Sequence, residues 1–243
     1  MAFTGKLANS TLDLQGEAED LGDIVGIVSP YETPLLDHLG NARCTASEGR
    51  LFSQKINVTG GRPAGVSDDD ELDYQKQERL RELLRDLENH TIEEIISLLG
   101  HATIEAGGEA LTEAMLDAAL KKVTEASGSS VDTIAVGGLH KRSINGFISS
   151  VRSLGATPQR FRDLVSVYEA ESGVCRIVLS RWVPKDTVLL LDSSDIEVRP
   201  VNRQSFRYLP HPALTHTGQV AGTYGLHLGD VTRHGLISNL SAD

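Results

Sequence analysis

Several groupings in this 243-residue chain have the residue types that chemistry needs. Asp68-Asp69-Asp70-Glu71 sets four carboxylates in a row, as a divalent-cation site would. A helix N-terminus, where the backbone dipole favours negative charge, accounts for the same run without a metal. His211, His216, His227 and His234 are donors of the right kind for a transition metal. No Cys or carboxylate stands at ligand spacing beside them, so they read as surface or core histidines. Gly137-Gly138 lies between an apolar run and a helix pattern, where a phosphate could sit on amide groups. The full phosphate-loop and dinucleotide patterns are absent, and a tight connection is the plainer reading. Ser, His and Asp residues are plentiful, yet no Gly-x-Ser-x-Gly turn occurs and no catalytic triad can be assembled. Cys44 and Cys175 are too few and too far apart for a disulfide framework or a metal motif, and read as free thiols in a reducing cytoplasm. The sequence therefore predicts no enzyme, no cofactor and no metal.

Charge excludes another class. The formal net charge is -11, with no Lys/Arg run, whereas proteins that grip nucleic acid carry a basic face that neutralises phosphates. Sequence-specific binding is excluded; an acidic wall that encloses nucleic acid without holding it is compatible. Arg43, Arg50, Lys55 and Arg62 make a mildly basic stretch ahead of the acidic Asp68–Glu71 run. Solvated charge is one reading. The other is contact between copies, in which these bases meet the acids of a neighbour and set register more than affinity. The candidate intersubunit residues are Arg50, Lys55, Arg62, Asp68, Asp69, Asp70 and Glu71.

The elements that would carry these residues follow from patterning. Residues 1–16 are small and polar, an arm that gains order only by lying on something else. Glu17 to Val28 reads as a short amphipathic helix, stopped at Ser29-Pro30. A second short helix runs from Pro34 to Leu39, with Gly40 as its stop. Arg50 to Val58 alternates as a strand, and Thr59-Gly60-Gly61-Arg62-Pro63 reads as an exposed loop. The strongest local signal is a helix from Asp68 to Leu99, opened by a Ser67–Asp70 capping box and carrying Leu72, Leu80, Leu83, Leu84, Leu87, Ile95, Ile96 and Leu99 at helical spacing. It would span ~48 Å, with a break allowed at Asn89-His90-Thr91, and with Glu78 and Glu82 opposite Arg81 and Arg85 on its outer face.

After a loop at Gly107-Gly108 the pattern predicts a helix from Glu109 to Ala126 ended by Gly128, a buried strand over 131–137 and a helix from Leu139 to Ser150. A hairpin follows, Leu164–Ala170 with Val174–Ser180, turning at Glu171-Ser172-Gly173. Strands at Thr187–Leu191, Ile196–Val201, Gln219–Leu228 and Arg233–Ile237 complete an α+β chain with no internal repeat. No apolar run approaches a membrane span, and the first residues lack a signal-peptide core. Beginning at Met1 with a short arm, the chain shows no long scaffolding extension.

The order of these elements resembles the Hong Kong 97-like fold of tailed-bacteriophage major capsid proteins. The resemblance is carried by Glu19-Asp20-Leu21, Asp23-Ile24 and Ser29-Pro30-Tyr31-Glu32-Thr33-Pro34 near the start. It continues through Asp70-Glu71-Leu72-Asp73-Tyr74-Gln75, Leu111-Thr112-Glu113-Ala114-Met115-Leu116, Asp132-Thr133-Ile134-Ala135-Val136, Val178-Leu179-Ser180-Arg181-Trp182 and Gly222-Thr223-Tyr224-Gly225-Leu226. It is the colinearity of these stretches that makes the case.

The resemblance implies an N-terminal arm (1–40), a short extended loop (41–66), a peripheral domain on a spine helix (67–129), an axial domain with a mixed sheet (130–201) and return strands to the peripheral domain (202–243). It implies a shell protein that self-assembles as hexamers and pentamers around double-stranded DNA, in a virion made in a bacterial cytoplasm. Portal, scaffold and cement proteins would be its partners, and no membrane. The loop is shorter than relatives usually carry. Some shells of this fold form Lys–Asn isopeptide bonds; Lys55, Asn202 and Asn239 are the residues here, with nothing specific about them. The alternatives are a nanocompartment shell of the same fold, told apart by protein cargo, and a soluble α/β enzyme, told apart by a deep pocket of convergent polar groups.

Overall fold

The computed structural model describes residues 19–21, 32–40, 48–59, 68–101, 103–152, 167–209 and 215–242. The class is α+β. In chain order the elements are β1 (Glu19–Asp20), α1 (Pro34–Leu39), β2 (Arg50–Thr59), α2 (Asp68–Leu99), β3 (Ile104–Glu105), α3 (Glu113–Ser127), β4 (Thr133–Val136), α4 (Gly138–Arg152), β5 (Val167–Ala170), β6 (Gly173–Leu179), β7 (Val188–Leu191), β8 (Ile196–Tyr208), β9 (Thr215–Leu228) and β10 (Gly235–Ser238). Short 3-10 turns at Ser193–Asp195 and Val231–Arg233 precede β8 and β10. The contacts divide the chain into two compact units: residues 1–32, 42–87 and 199–225, and residues 33–41, 88–198 and 226–243.

In the first unit a sheet runs in the order β1-β8-β9-β2. β2 pairs antiparallel with β9 along its whole length, from Arg50 opposite Tyr224 to Thr59 opposite Thr215. Alternation decides its faces: Phe52 and Ile56 are buried, while Leu51, Ser53, Lys55 and Asn57 are exposed. Gly218 on β9 admits the Phe206 ring of β8, since a Cβ there would stand 2.2 Å from it. Lys76 of α2 is buried over that ring, 4.6 Å from its centroid, with Nζ donating to Glu19 Oε2 at 2.7 Å. Glu19 itself lies in β1, paired with Phe206, and not in the helix that the pattern from Glu17 predicts. Two residues of strand pairing win locally there because their backbone groups find partners on β8. Leu21, also in that predicted stretch, is buried with its amide donating to Gln204 O at 3.2 Å; residues 17, 18 and 22–28, the Ser67 cap and the Gly60–Pro63 loop lie outside the described residues.

The second unit holds a mixed sheet in the order β3-β10-β7-β4-β6-β5, with β4–β6 and β3–β10 parallel and the rest antiparallel. The central strands β4 and β7 are buried on both faces. One face carries Leu116, Leu120, Val123 and Ile144 from α3 and α4; the other carries Leu35 of α1 and Ile92, Ile95 and Leu99 of α2.

α2 is one continuous helix of 32 residues. No break occurs at Asn89-His90-Thr91, because Thr91, Ile92 and Ile95 are buried and Asn89 donates to Glu93 Oε1 at 3.1 Å. Burial of that kind outweighs the modest helix propensity of the three residues. α3 begins at Glu113, four residues later than its pattern predicts, because Thr112 accepts from the Met115 amide as the N-cap. Gly128, left-handed at φ 70, ends it as expected.

Candidate functional site

The predicted contact residues fall on β2 and on the first turn of α2. β2 is the outermost strand of its sheet among the described strands. An outermost strand offers unpaired backbone groups to another chain, a tendency that exposed charge blunts. Arg50 and Lys55 are five positions apart, an odd interval, so a strand sends them to opposite faces. Arg50 shares the side of Phe52, with its guanidinium 5.9 Å from that ring. Lys55 stands on the open side with Leu51 and Asn57. The stretch is therefore not one basic patch. Gln54 ties β2 to α2, its Nε2 donating to Asp86 Oδ2 at 2.9 Å.

Asp68, Asp69 and Asp70 form the first turn of α2, where acids suit the helix dipole. Glu71 is half-buried and accepts from Gln75 Nε2 at 3.1 Å. Arg62 and Cys44 lie outside the described residues, as does His211. The expected charge ladder along α2 forms in part, Arg81 pairing with Glu78, while Glu82 and Arg85 take other partners. Arg81 bonds Glu78, Arg79 bonds Glu82 at 2.6 Å, and Arg85 reaches Glu32 in a two-pronged bond of 2.7 and 2.8 Å.

Elsewhere the polar groups serve the fold. Glu88 is wholly buried; Ser180 Oγ donates to it at 2.6 Å, and the Leu35 and Leu36 amides at 3.4 Å each. Burial pushes its carboxyl above the usual range against the pull of those donors. Asp192 accepts from Ser194 and Ser129 and pairs with Arg233 at 2.6 Å. Its carboxyl is held below the ordinary value because these bonds, led by Ser194, outweigh the opposing effect of burial. His234 is buried, its Nδ1 accepting from the Asp192 amide at 3.2 Å, and burial lowers its pKa. His227 is exposed on β9. Among the described residues no group of His, Cys, Asp and Glu could hold a metal ion. The Cys175 thiol is buried, donates to Val131 O at 3.3 Å, and is pushed up to about 11 by burial. Gly137 and Gly138 join β4 to α4 as a tight connection, Gly138 being the first helical residue.

A groove of about 290 Å³ lies beside Leu99, His101, Lys122, Val123 and Thr232. Its lining has no carboxylate, and Lys122 Nζ is donated to Thr103 O at 2.7 Å. No helix among the described residues is long and apolar enough to cross a membrane. What the patterning missed is surface apolar area. Leu51, Tyr74 and Val174 are 62%, 57% and 64% exposed, far more than folding alone requires of such side chains. Alternation marks which residues share a face, but it does not say which face stays open.

Residues 92–241 match the family model of the SU10 major capsid protein, well over half of the chain. Solved structures are similar throughout. A virus-like particle from Pyrococcus furiosus aligns at TM-score 0.56 and 13% identity, covering 89% of this chain and 96% of that one. Gordonia phage Cozz aligns at 0.56 and 12%, covering 100% and 96%. A phage-related protein from Bordetella bronchiseptica RB50 aligns at 0.58 and 11%, covering 92% and 98%. No curated protein sequence matches the chain.

Proposed function

The chain belongs to the SU10 major capsid protein family and has the Hong Kong 97-like fold; from that premise we propose that its copies assemble as hexamers and pentamers into an icosahedral shell around double-stranded phage DNA. The observation that carries this reading is the family match over 92–241, the stretch that holds the mixed sheet and the helices on its two faces. A net charge of -11 suits a wall that encloses DNA without binding it fast. Residues 67–129 with the return strands 202–243 act as the peripheral domain, 130–201 as the axial domain, 41–66 as the short extended loop and 1–40 as the arm.

Contacts between copies use Lys55 and Arg50 on β2, Arg62, and the acids Asp68, Asp69, Asp70 and Glu71. Lys55 on the open side of an outermost strand supports this. The protein works without catalysis. Supporting that, Glu88, Asp132 and Asp192 are engaged by serine hydroxyls and backbone amides within the fold. A portal, a scaffold and a cement protein are its partners, and synthesis takes place in the bacterial cytoplasm. A nanocompartment shell fits less well, since the family matched is that of a major capsid protein. Electron microscopy and sedimentation of the expressed protein test the reading: closed shells are expected, with DNA inside when phage partners are present. A chain that stays monomeric under all assembly conditions, phage partners included, refutes it, and protein cargo in place of DNA favours the nanocompartment.

A further inference from the structure

In the first unit α2 covers one side of the sheet. Gln54 of β2 bonds Asp86 of α2, and Lys76 of α2 sits over the Phe206 ring of β8. Ile56 pairs with Gly218, the glycine that admits that ring, so Ile56 and Phe206 share the covered side across three strands. The other side then carries Lys55 on β2 and, by alternation from Phe206, Arg203, Ser205 and Arg207 on β8. Lys55, Arg203 and Arg207 are exposed, and no ion pair among the described residues takes any of them. Between the two strands β9 contributes Gln219, Ala221 and Thr223, none of them charged. Within this unit the one acid that strand register places on the same side is Asp20, opposite Ser205. Bases therefore outnumber acids on this side of a chain whose net charge is -11.

Such a side suits an acidic partner, and its spacing narrows which. β8 and β2 flank β9, so ~10 Å separates them, and Arg203 and Arg207 stand ~13 Å apart along β8. A helix end measures ~10–12 Å across with its side chains, which matches the gap between the three bases. Among the described helices the start of α2 is the end richest in acids, with Asp68, Asp69 and Asp70 in its first turn. Because α2 lies on the covered side of its own sheet, the sheet separates these acids from the bases of the same copy. We infer that the open side of this sheet, through Lys55, Arg203 and Arg207, receives the first turn of α2, Asp68 to Asp70, from a neighbouring copy. The inference rests on the shell reading and adds Arg203 and Arg207 to its contacts. Unlike surfaces meet, so the contact is head-to-tail and repeats under five-fold and six-fold rotation alike. Exposed ion pairs are weak singly; they set register, and repetition round a shell gives them force.

The test uses assembled shells. R203E/R207E should lower shell yield at limiting concentration about tenfold, from two exposed ion pairs turned to repulsions per contact, and the loss should shrink at high salt. D68K/D70K should lower it to a similar extent, and all four changes in one chain should restore it. In a C44S background, R207C/D69C in one chain should give a ladder of disulfide-linked multimers on mild oxidation, whereas R207C alone and D69C alone should give none. Disulfides confined to one copy would overturn the inference. So would unchanged yield in R203E/R207E, or a four-fold reversal that fails to restore yield, both of which leave the shell reading intact if wild-type shells form. R203E/R207E shells of normal yield that hold less DNA would assign the face to phosphates instead. A loss seen only with a scaffold present, with D68K/D70K neutral, would assign the acids to the scaffold; either result overturns the neighbouring copy as occupant. Should a reversal fail to fold, the cysteine pair still decides. A wild-type chain that never associates would remove both readings.

Discussion

Replacing Glu88 should destabilise the second unit in a manner that depends on which replacement is used and on pH. Glu88→Ala leaves the Ser180 hydroxyl, now at 2.6 Å from the carboxylate, and the amides of Leu35 and Leu36 without their acceptor in a site closed to water. The short hydroxyl bond dominates; the two amide contacts at 3.4 Å are near the limit of a hydrogen bond. Stranding one buried donor costs ~1–3 kcal/mol, and removing the side chain opens a cavity beside Ile92. A total of about 3 kcal/mol is expected, while Glu88→Gln, which keeps an acceptor oxygen and the volume, should cost about 1 kcal/mol.

The pH dependence has a definite sign. Burial raises the folded-state pKa above its unfolded value. Below the unfolded value both states carry the proton and the contribution is full. As pH rises through the interval between the two values the unfolded chain releases its proton first, so stability falls, by at most about 1.4 kcal/mol per pH unit. Glu88→Gln lacks this slope. Guanidinium unfolding of unassembled wild type and both variants at several pH values from 4.5 upward gives the numbers. Parallel wild-type and Gln curves, or an Ala cost under about 1 kcal/mol, would refute the reasoning.

Other expectations follow from single sites. Gly218→Ala places a methyl 2.2 Å from the Phe206 ring and should cost about 1–3 kcal/mol in chemical denaturation, with Gly218→Val worse. In a C44S background Cys175 should not react with a thiol reagent at pH 8 until the protein is unfolded, because its pKa stands at about 11 and its side chain is buried. Lys55→Glu should lower shell yield without changing the unfolding midpoint of the free subunit, and the loss should shrink at high salt; an unchanged yield would argue that Lys55 serves only to blunt the strand.

The helices were legible where burial follows a simple period. α1 ends at Gly40 and α2 runs from Asp68 to Leu99, both as patterning predicts, because charge, apolar spacing and the glycine stop point the same way over those stretches. Legibility failed where a residue's role depends on something distant in sequence. Patterning assigns Glu88 no partner, and those it has come from residues 35, 36 and 180. Nor does patterning single out Lys76, which the Phe206 ring and Glu19 cover. β8 and β9 extend well beyond their alternating cores because each finds its partner in a long ribbon whose outward side chains are polar. The candidate site suffered in the same way: counting bases along residues 43–62 suggests one patch, whereas the pleat of β2 separates Arg50 from Lys55.

These failures share a direction that bears on function. Glu88 and Lys76, to which patterning gave no partner, are engaged within the fold, whereas the large apolar side chains of Leu51 and Val174 are open. A catalytic protein concentrates unsatisfied polar groups in a cleft and closes the rest of its surface. Here Glu88, Asp192 and Lys76 are satisfied within the fold, and the exposed apolar area lies on strands, at Leu51, Val167, Val174 and Leu179, and on α2, at Tyr74 and Leu98. Small open patches of that kind bind too weakly to act singly and gain force by repetition. That distribution of open surface is what a subunit needs when its neighbours are further copies of itself.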